Sequence, residues 1–374
     1  MSRGFASIEQ FIHRLIAQGR VSGAGAAIAI EGEPVYSYLA GNARSDARAS
    51  DDTLWPLASI SKVYTASMVM SLIEDGLLTL GTKVCAVLPA FTGDGRERVT
   101  LRHLLTHTAG LAYEPENLAE LFQANADWVA QMAHGYADPL RFPPGLGQNY
   151  SDTGIGLAAL MAVTVTGESF EDLIRTRVLE PGGLHDTFMP PPDSELGRIA
   201  QVGKVLGEGT DWAHYNSPYG VQTAHPAYGT VATLADALQF MLLFDPYGPR
   251  RIHSAAALAA MVSDQAHAYS LFFEPRGEPA QPIANWGIGF ILKDRSADSG
   301  IASPESFGHE GASGCVIWCD PVQRVSLAFV SNSHLLGGMD EWTTRMEAAI
   351  NVCLSAATSG RSGAARTADD RIGA

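Results

Sequence analysis

The chain has 374 residues, 46% of them hydrophobic, with 38 glycines and 20 prolines, enough to bury one large core or two structural regions. Its formal charge of −15 leaves no basic stripe that could neutralise phosphates, which excludes a nucleic-acid partner. No run approaches the ~18 consecutive apolar residues of a membrane-spanning helix, so no membrane segment is expected.

At the N-terminus, Phe5, Ile8, Phe11, Ile12 and Leu15 form one helical stripe interrupted by Glu9, His13 and Arg14. That pattern is unlike the unbroken apolar stretch of an export signal, and a cytoplasmic location is the expectation. "GAGAAIAIEGEPVYSYLAGNA" predicts two strands around the turn Glu31-Gly32-Glu33-Pro34. "WPLASISKVYTASMVMSLIEDG", residues 55 to 76, reads as a loop entering a helix; from Ile60 to Ile73 its only charged side chain is Lys62. A helix that is apolar or small on every face is surrounded by protein. An isolated buried charge is costly, so Lys62 must be paired, hydrogen-bonded or neutral.

From about residue 77 to 225 the pattern is helical, with loops rich in Pro and Gly: "LRHLLTHTAGL", "NLAELFQANADWVAQMAHGYA", "GIGLAALMAVTVTG" and "SFEDLIRTRVLEPGGL". "WGIGFIL" (286–292), "GCVIWCDP" and "RVSLAFVSNS" predict three strands, the last two joined around Asp320-Pro321, and "DEWTTRMEAAINVCL" predicts a closing helix. Strands at both ends with helices between them predict an α+β fold whose central antiparallel sheet is built from N- and C-terminal segments, flanked by helices, with a mostly helical insertion. The expected regions are 1–76 with 226–354, a helical region over 77–225, and a tail over 355–374 with the composition of disorder. Cys85, Cys315, Cys319 and Cys353 lack any C-x-x-C spacing and are expected as free thiols; Cys315 and Cys319 can share one strand face.

The chemistry begins at Ser59. A serine hydroxyl is a poor nucleophile until a base takes its proton, and a lysine three residues later on a helix lies on the same face. A helix starting near Ser59 also points its free N–H groups at a developing oxyanion. Desolvation lowers the pKa of a buried lysine, so Lys62 can serve as a base or as a close-range cation. The tetrapeptide alone is weak evidence, because a capping serine with a solvent-seeking lysine gives the same letters. Tyr150-Ser151-Asp152 lies between a Pro/Gly turn and an apolar helix, where a phenol can sit in a cleft or Asp152 can merely cap the helix. His309-Glu310-Gly311 opens a strand; Gly311 either admits substrate close to the backbone or is a bulge or turn glycine.

Ser59-x-x-Lys62, Tyr150-Ser151-Asp152 and His309-x-Gly311, in that order, resemble the three motifs of the serine β-lactamase and penicillin-binding-protein superfamily. The likeness is to its class C branch, with D-aminopeptidases, DD-carboxypeptidases and family VIII carboxylesterases. "LRHLLTHTAGL", "NSPYG", "AYGTVATLADALQF" and "GHEGASG" add to it, and it spans about residues 20 to 355. The resemblance implies Ser59 as the acylated nucleophile, Lys62 as its activating partner and Tyr150 as the base that later protonates the leaving group. It places Asp152, His309 and Gly311 in the substrate cleft and the backbone N–H groups of Ser59 and Ala312 in the oxyanion hole. It implies no cofactor and no metal. Which of Lys62 and Tyr150 takes the first proton stays open, since the two titrate as a pair.

Two positions depart from the family pattern. Asp152 stands where asparagine is usual and, ionised, can only accept hydrogen bonds; His309 stands where lactamases carry lysine, removing a fixed charge for a substrate carboxylate. The expectation is therefore a serine hydrolase acting on small carboxylic esters, with a D-amino-acid peptidase, an amidase or a weak β-lactamase as the alternative. A catalytically silent binding or scaffold protein is the alternative of another class. A zincin needs His-Glu-x-x-His, which neither His103 with His107 nor His309 completes. The expected partner is a small-molecule ester or amide, with the oligomeric state open. Loops near 112–145, 205–226 and 265–285 are expected to wall the pocket, with Trp212, Tyr215, Tyr219, Phe272 and Phe273 as candidates for an apolar subsite.

Overall fold

The computed structural model describes residues 4–203, 216–266, 285–293, 300–333 and 339–359. The N-terminal stripe becomes helix α1 (Ala6–Ala17), with Ile8, Phe11, Ile12 and Leu15 buried. Strands β1 (Gly23–Ile30) and β2 (Glu33–Arg44) follow, joined by Glu31 and Gly32, both at positive φ as a two-residue hairpin requires. Chain order then gives β3 (Ala47–Arg48), β4 (Trp55–Pro56), β5 (Thr187–Phe188), β6 (Val231–Ala232), β7 (Asn285–Trp286), β8 (Ile291–Leu292), β9 (Phe307–Gly311), β10 (Cys315–Asp320) and β11 (Val325–Ser331).

The main sheet has eight strands in the order β3-β2-β1-β11-β10-β9-β8-β7, every neighbour antiparallel. Its centre is the pairing of β1 with β11, Ala24 opposite Ser331 through Ile30 opposite Val325, so the two ends of the chain meet at mid-sheet. Both faces are covered. Ala24, Ala26, Ile28, Val316, Trp318, Leu327 and Phe329 pack under α1 and the closing helix, while Ala27, Ala29, Ile317, Ala328 and Val330 face the core on the side of the helix that carries Lys62. Alternation of side chains along each strand therefore feeds two separate cores.

On the Lys62 side lie α2 (Ser61–Glu74), α3 (Asp152–Thr166) and α4 (Leu234–Leu242); the closing helix, α5, spans Met339–Thr358 on the other. Helix α2 is buried along most of its length, as its all-round apolar sequence predicts. A small sheet of order β4-β6-β5 holds the segment leading to Ser59 against Val231 and Ala232.

Two expectations change. "WGIGFIL" is not one strand but the hairpin β7–β8, bent between Gly287 and Phe290. Gly289 sits at φ 80°, and a Cβ on it would lie 2.6 Å from Ala66 on α2, so the turn is pressed against the helix that carries Lys62. The closing helix also runs to Thr358, past the expected boundary at 354; residues 360–374 of the expected tail lie outside the described residues. Among the described residues no single helix is long and apolar enough to cross a membrane.

Candidate active site

Ser59 lies in a short 3₁₀ turn, Ala58–Ile60, that runs directly into α2. Ala58 adopts φ 47°, a left-handed conformation uncommon for a residue with a Cβ. Such strain persists only where the surroundings over-determine it. Here Ser61 Oγ donates to the Ala58 carbonyl at 2.6 Å and accepts from Thr230 N–H at 2.9 Å. The turn leaves Ser59 partly exposed while Ile60, Ser61 and Lys62 are buried.

Lys62, with no exposed surface, answers the question its sequence poses. Its Nζ donates to Ser59 Oγ at 3.0 Å and to the Ala227 carbonyl at 3.1 Å, and lies 2.6 Å from Asp152 Oδ1 and 4.6 Å from the centre of the Tyr150 ring. The Asp152 contact is a buried ion pair. Burial pulls the Lys62 pKa down, but the Asp152 carboxylate and then Tyr150 outweigh it, so the ammonium is held above its ordinary value. Lys62 is therefore a close-range cation, and the lowered pKa expected from desolvation alone is overturned by its counter-charge. Burial likewise raises the Asp152 carboxyl, against the pull of Lys62. Burial also raises the Tyr150 phenol, with Lys62 and a hydrogen bond from Ser59 acting to lower it.

Helix α3 delivers Asp152 from its first turn, but Asp152 does not cap it. Ser151 is the cap: its Oγ accepts from Gly154 N–H at 3.0 Å and donates to the Ala112 carbonyl at 2.6 Å. Asp152 is thus free to face Lys62, while its own N–H donates to the Tyr113 carbonyl at 2.8 Å. The capping alternative for Asp152 is excluded.

His309 lies on β9 with its ring centre 6.3 Å from that of Tyr150. Its Nδ1–H donates to the Glu310 carbonyl at 2.7 Å, which leaves the Nε2 lone pair buried without a partner. Burial, then the Lys62 charge, lowers its pKa to about 3, so it is a neutral imidazole. Gly311 has a reason the sequence did not show. A Cβ there would come within 2.1 Å of the Leu57 carbonyl, so its absence lets β9 press against the Ser59 turn. Ala312 follows in a turn closed by Gly314 N–H to the Gly311 carbonyl at 2.8 Å, and Ser313 Oγ ties that turn to the Pro56 carbonyl at 2.6 Å.

The site brings together Ser59, Lys62, Tyr150, Asp152 and His309. Sequence reasoning missed Ala227, Trp286 and Tyr113, which act through a backbone carbonyl, a ring edge and a loop carbonyl and carry no motif signal. Tyr219 commits its hydroxyl to the Ala126 carbonyl and Gln131 and lines a cavity of about 580 Å³ with Trp128 and Phe170, to which none of the proposed catalytic residues contributes. Trp212, Tyr215, Phe272 and Phe273 lie outside the described residues.

His103 Nδ1 accepts from Thr100 N–H at 3.2 Å and His107 Nδ1 accepts from Ser151 N–H at 3.1 Å, so the two histidines four apart serve separate backbone sites. No group of three metal-ligating side chains forms among the described residues. Ser67, His253 and Glu74 do form a hydrogen-bonded row, Oγ to Nε2 at 2.7 Å and Nδ1 to Oε2 at 2.6 Å. Ser67 has no exposed surface, so this row fastens α2 to the 253 loop rather than meeting substrate. All four cysteines are free; burial raises the thiols of Cys315 to about 11 and Cys353 to about 12, which leaves them unreactive.

The Beta-lactamase family model matches residues 8–349. Penicillin-binding protein 4 of Amycolatopsis lactamdurans is 31% identical over 317 residues, 79% of this chain and 75% of the relative. A family VIII carboxylesterase structure superposes with a TM-score of 0.72 at 24% identity, covering 94% of this chain and 98% of its own. The D-amino acid amidase of Ochrobactrum anthropi SV3 does so with a TM-score of 0.75 at 21% identity, covering 96% and 100%. At these identities the two structures establish the fold; their names differ in the bond they cleave.

Proposed function

The chain belongs to the Beta-lactamase family, a superfamily of serine acyl-transfer hydrolases, and from that premise we propose that it is a carboxylesterase forming an acyl-enzyme on Ser59. The observation that carries this is the Lys62 ammonium, shared between Ser59 Oγ, Asp152 and the Tyr150 ring inside the core. Because Ser59 Oγ accepts a hydrogen bond from Lys62, its own proton points elsewhere, and Tyr150 is the group that can receive it.

In the reactive form Tyr150 is a phenolate whose charge the Lys62 ammonium offsets; as Oγ bonds to the ester carbonyl carbon, its proton passes to that oxygen and leaves a neutral phenol. The carbonyl electron pair moves to the oxygen, which the N–H groups of Ser59 and Ala312 receive. Collapse breaks the bond to the alcohol oxygen, and Tyr150 returns the proton to it. Water then repeats the sequence on the acyl-enzyme and frees Ser59.

Esters are favoured over amides and β-lactams for two reasons. Neutral His309 offers no fixed cation for a substrate carboxylate, and ionised Asp152 offers no donor to a substrate carbonyl. The test is intact mass after a fluorophosphonate or a short p-nitrophenyl ester: one adduct is expected, on the peptide containing Ser59 and absent from Ser59→Ala. An adduct on another serine removes the site, and no adduct with either reagent favours a binding protein. A panel of p-nitrophenyl esters, D-amino-acid anilides and nitrocefin then ranks the bond types.

A further inference from the structure

We infer that His107 is the positioning residue for Tyr150, an inference that rests on the catalytic reading of that tyrosine. His107 holds the chain on both sides of it. The N–H of Asn149 donates to the His107 carbonyl at 2.8 Å, and the N–H of Ser151 donates to His107 Nδ1 at 3.1 Å. Between those two anchors the imidazole packs against the phenol ring, centre to centre 4.5 Å, and the Trp286 indole meets the imidazole edge-on at the same distance.

One residue can do this because its backbone is left-handed. His107 has φ 60° and is 1% exposed, so the conformation belongs to the core and not to a loose surface turn. It turns the His107 carbonyl and side chain toward the same neighbouring segment. The following residues continue the seam: the Leu111 carbonyl accepts from Asn149 Nδ2 at 2.7 Å, Ala112 from Ser151 Oγ and Tyr113 from Asp152 N–H. His107 is its first rung and lies closer to the Tyr150 ring than Tyr113, whose ring stacks on it at 5.9 Å between centres.

The contact requires a neutral ring. Nδ1 accepts, so the single proton sits on Nε2, which is buried without a hydrogen-bond partner. Burial, then the charge of Lys62, then His309 holds the His107 pKa well below the ordinary histidine range, in keeping with that tautomer. Protonating Nδ1 would cost the bond to Ser151 and put a second cation beside Lys62.

The chemistry makes the placement matter. Tyr150 must receive a proton from Ser59 and deliver it to a leaving oxygen, and a misplacement of about 1 Å can cost on the order of 10²-fold in rate. Three substitutions separate backbone, acceptor and ring. His107→Gly keeps the left-handed backbone and removes the side chain. His107→Asn keeps the backbone preference and an oxygen acceptor at the δ position. His107→Gln moves its acceptor out to the ε position.

Expected, for hydrolysis of p-nitrophenyl butyrate by protein shown folded by circular dichroism, is a fall in kcat of at least about 30-fold for His107→Gly and His107→Gln, with KM within about threefold. His107→Asn should restore kcat to within about threefold of wild type. If the Gly variant does not fold, the Asn and Gln pair decides by itself. Wild-type kcat in folded His107→Gln or His107→Gly, or equal losses in the Asn and Gln variants, would overturn the inference. Tyr150→Phe run alongside tells the two readings apart: near-normal kcat in it removes the catalytic role of Tyr150 and the inference with it, whereas an inactive Tyr150→Phe beside a fully active His107→Gln removes the inference alone.

Discussion

At the residue scale the protein turns on one buried charge and its partners. Lys62 stays an ammonium because Asp152 lies 2.6 Å away, and Asp152 is available because Ser151 caps α3 in its place. Removing the carboxylate outright leaves an uncompensated buried charge, a change that costs about 3–5 kcal/mol. Asp152→Asn is the milder probe. It withdraws the negative charge that raises the Lys62 pKa, so that pKa falls, and it supplies an amide donor toward a substrate carbonyl. The kcat/KM ratio of nitrocefin to p-nitrophenyl butyrate should rise about tenfold, equivalent to about 1.4 kcal/mol of differential barrier. The variant should also melt at lower temperature. Both substrates measured on wild type and variant, with a melting curve for each, check this; an unchanged ratio would remove Asp152 from substrate selection. Ser59, Lys62 and Tyr150 were legible in the sequence because motif spacing encodes them. His107 was legible only as a histidine in a loop, since its left-handed backbone and its grip on residues 149 and 151 depend on how two distant segments meet.

At the element scale, β9 carries a buried histidine and a half-buried glutamate with opposite pH responses. His309 has a pKa of about 3 in the fold, against about 6.5 when unfolded. The unfolded chain binds more protons between those values, so the His309 contribution is present above about pH 6.5 and is lost as pH falls. Glu310, raised to about 7 by burial and by Glu347, works the other way: the folded chain binds more protons between about 4.5 and 7, so it destabilises increasingly over that window as pH rises. Glu310→Gln should therefore raise the melting temperature at pH 8. Its advantage over wild type should shrink on acidification and vanish near pH 4.5, while its own melting temperature falls more steeply from pH 7 to 5. Differential scanning calorimetry across that range checks the signs, and a pH-independent gap would mean that Glu310 is already protonated throughout. His309-Glu310-Gly311 was expected to open a strand and instead closes one, β9, because the chain turns at Ala312–Gly314 before β10; the hairpin at 285–292 was not expected either. An apolar run reads as one strand until Gly287 and Gly289 are seen folded against Met261 and Ala66.

At the scale of the whole molecule, the sheet joins the first strand of the chain to its last, and α5 seals the face opposite the active site with Met346, Ala349, Ile350, Cys353 and Leu354. Ending the chain before Met339 strips that cover from β1, β10 and β11, so expression should give insoluble protein. Ending it after Ser359 removes only residues 360–374, whose polar composition supplies no core, and should leave the melting temperature and any kcat measured for p-nitrophenyl butyrate unchanged. Fractionation of the two truncated proteins, with activity measured on the second, tests both statements. The sequence by itself determined the sheet built from both ends, the buried helix and the family, and singled out Ser59, Lys62 and Tyr150 as candidates, because periodicity and motif spacing are properties of neighbours along the chain. Only the tertiary structure decided the direction of the Lys62 pKa shift, the release of Asp152 from capping, the neutrality of His309 and the close backbone approach at Gly311. Each depends on groups far apart in sequence brought within a few ångströms of one another at low dielectric, where a carboxylate at 2.6 Å and a tyrosine together outweigh desolvation and a missing Cβ makes room for a carbonyl.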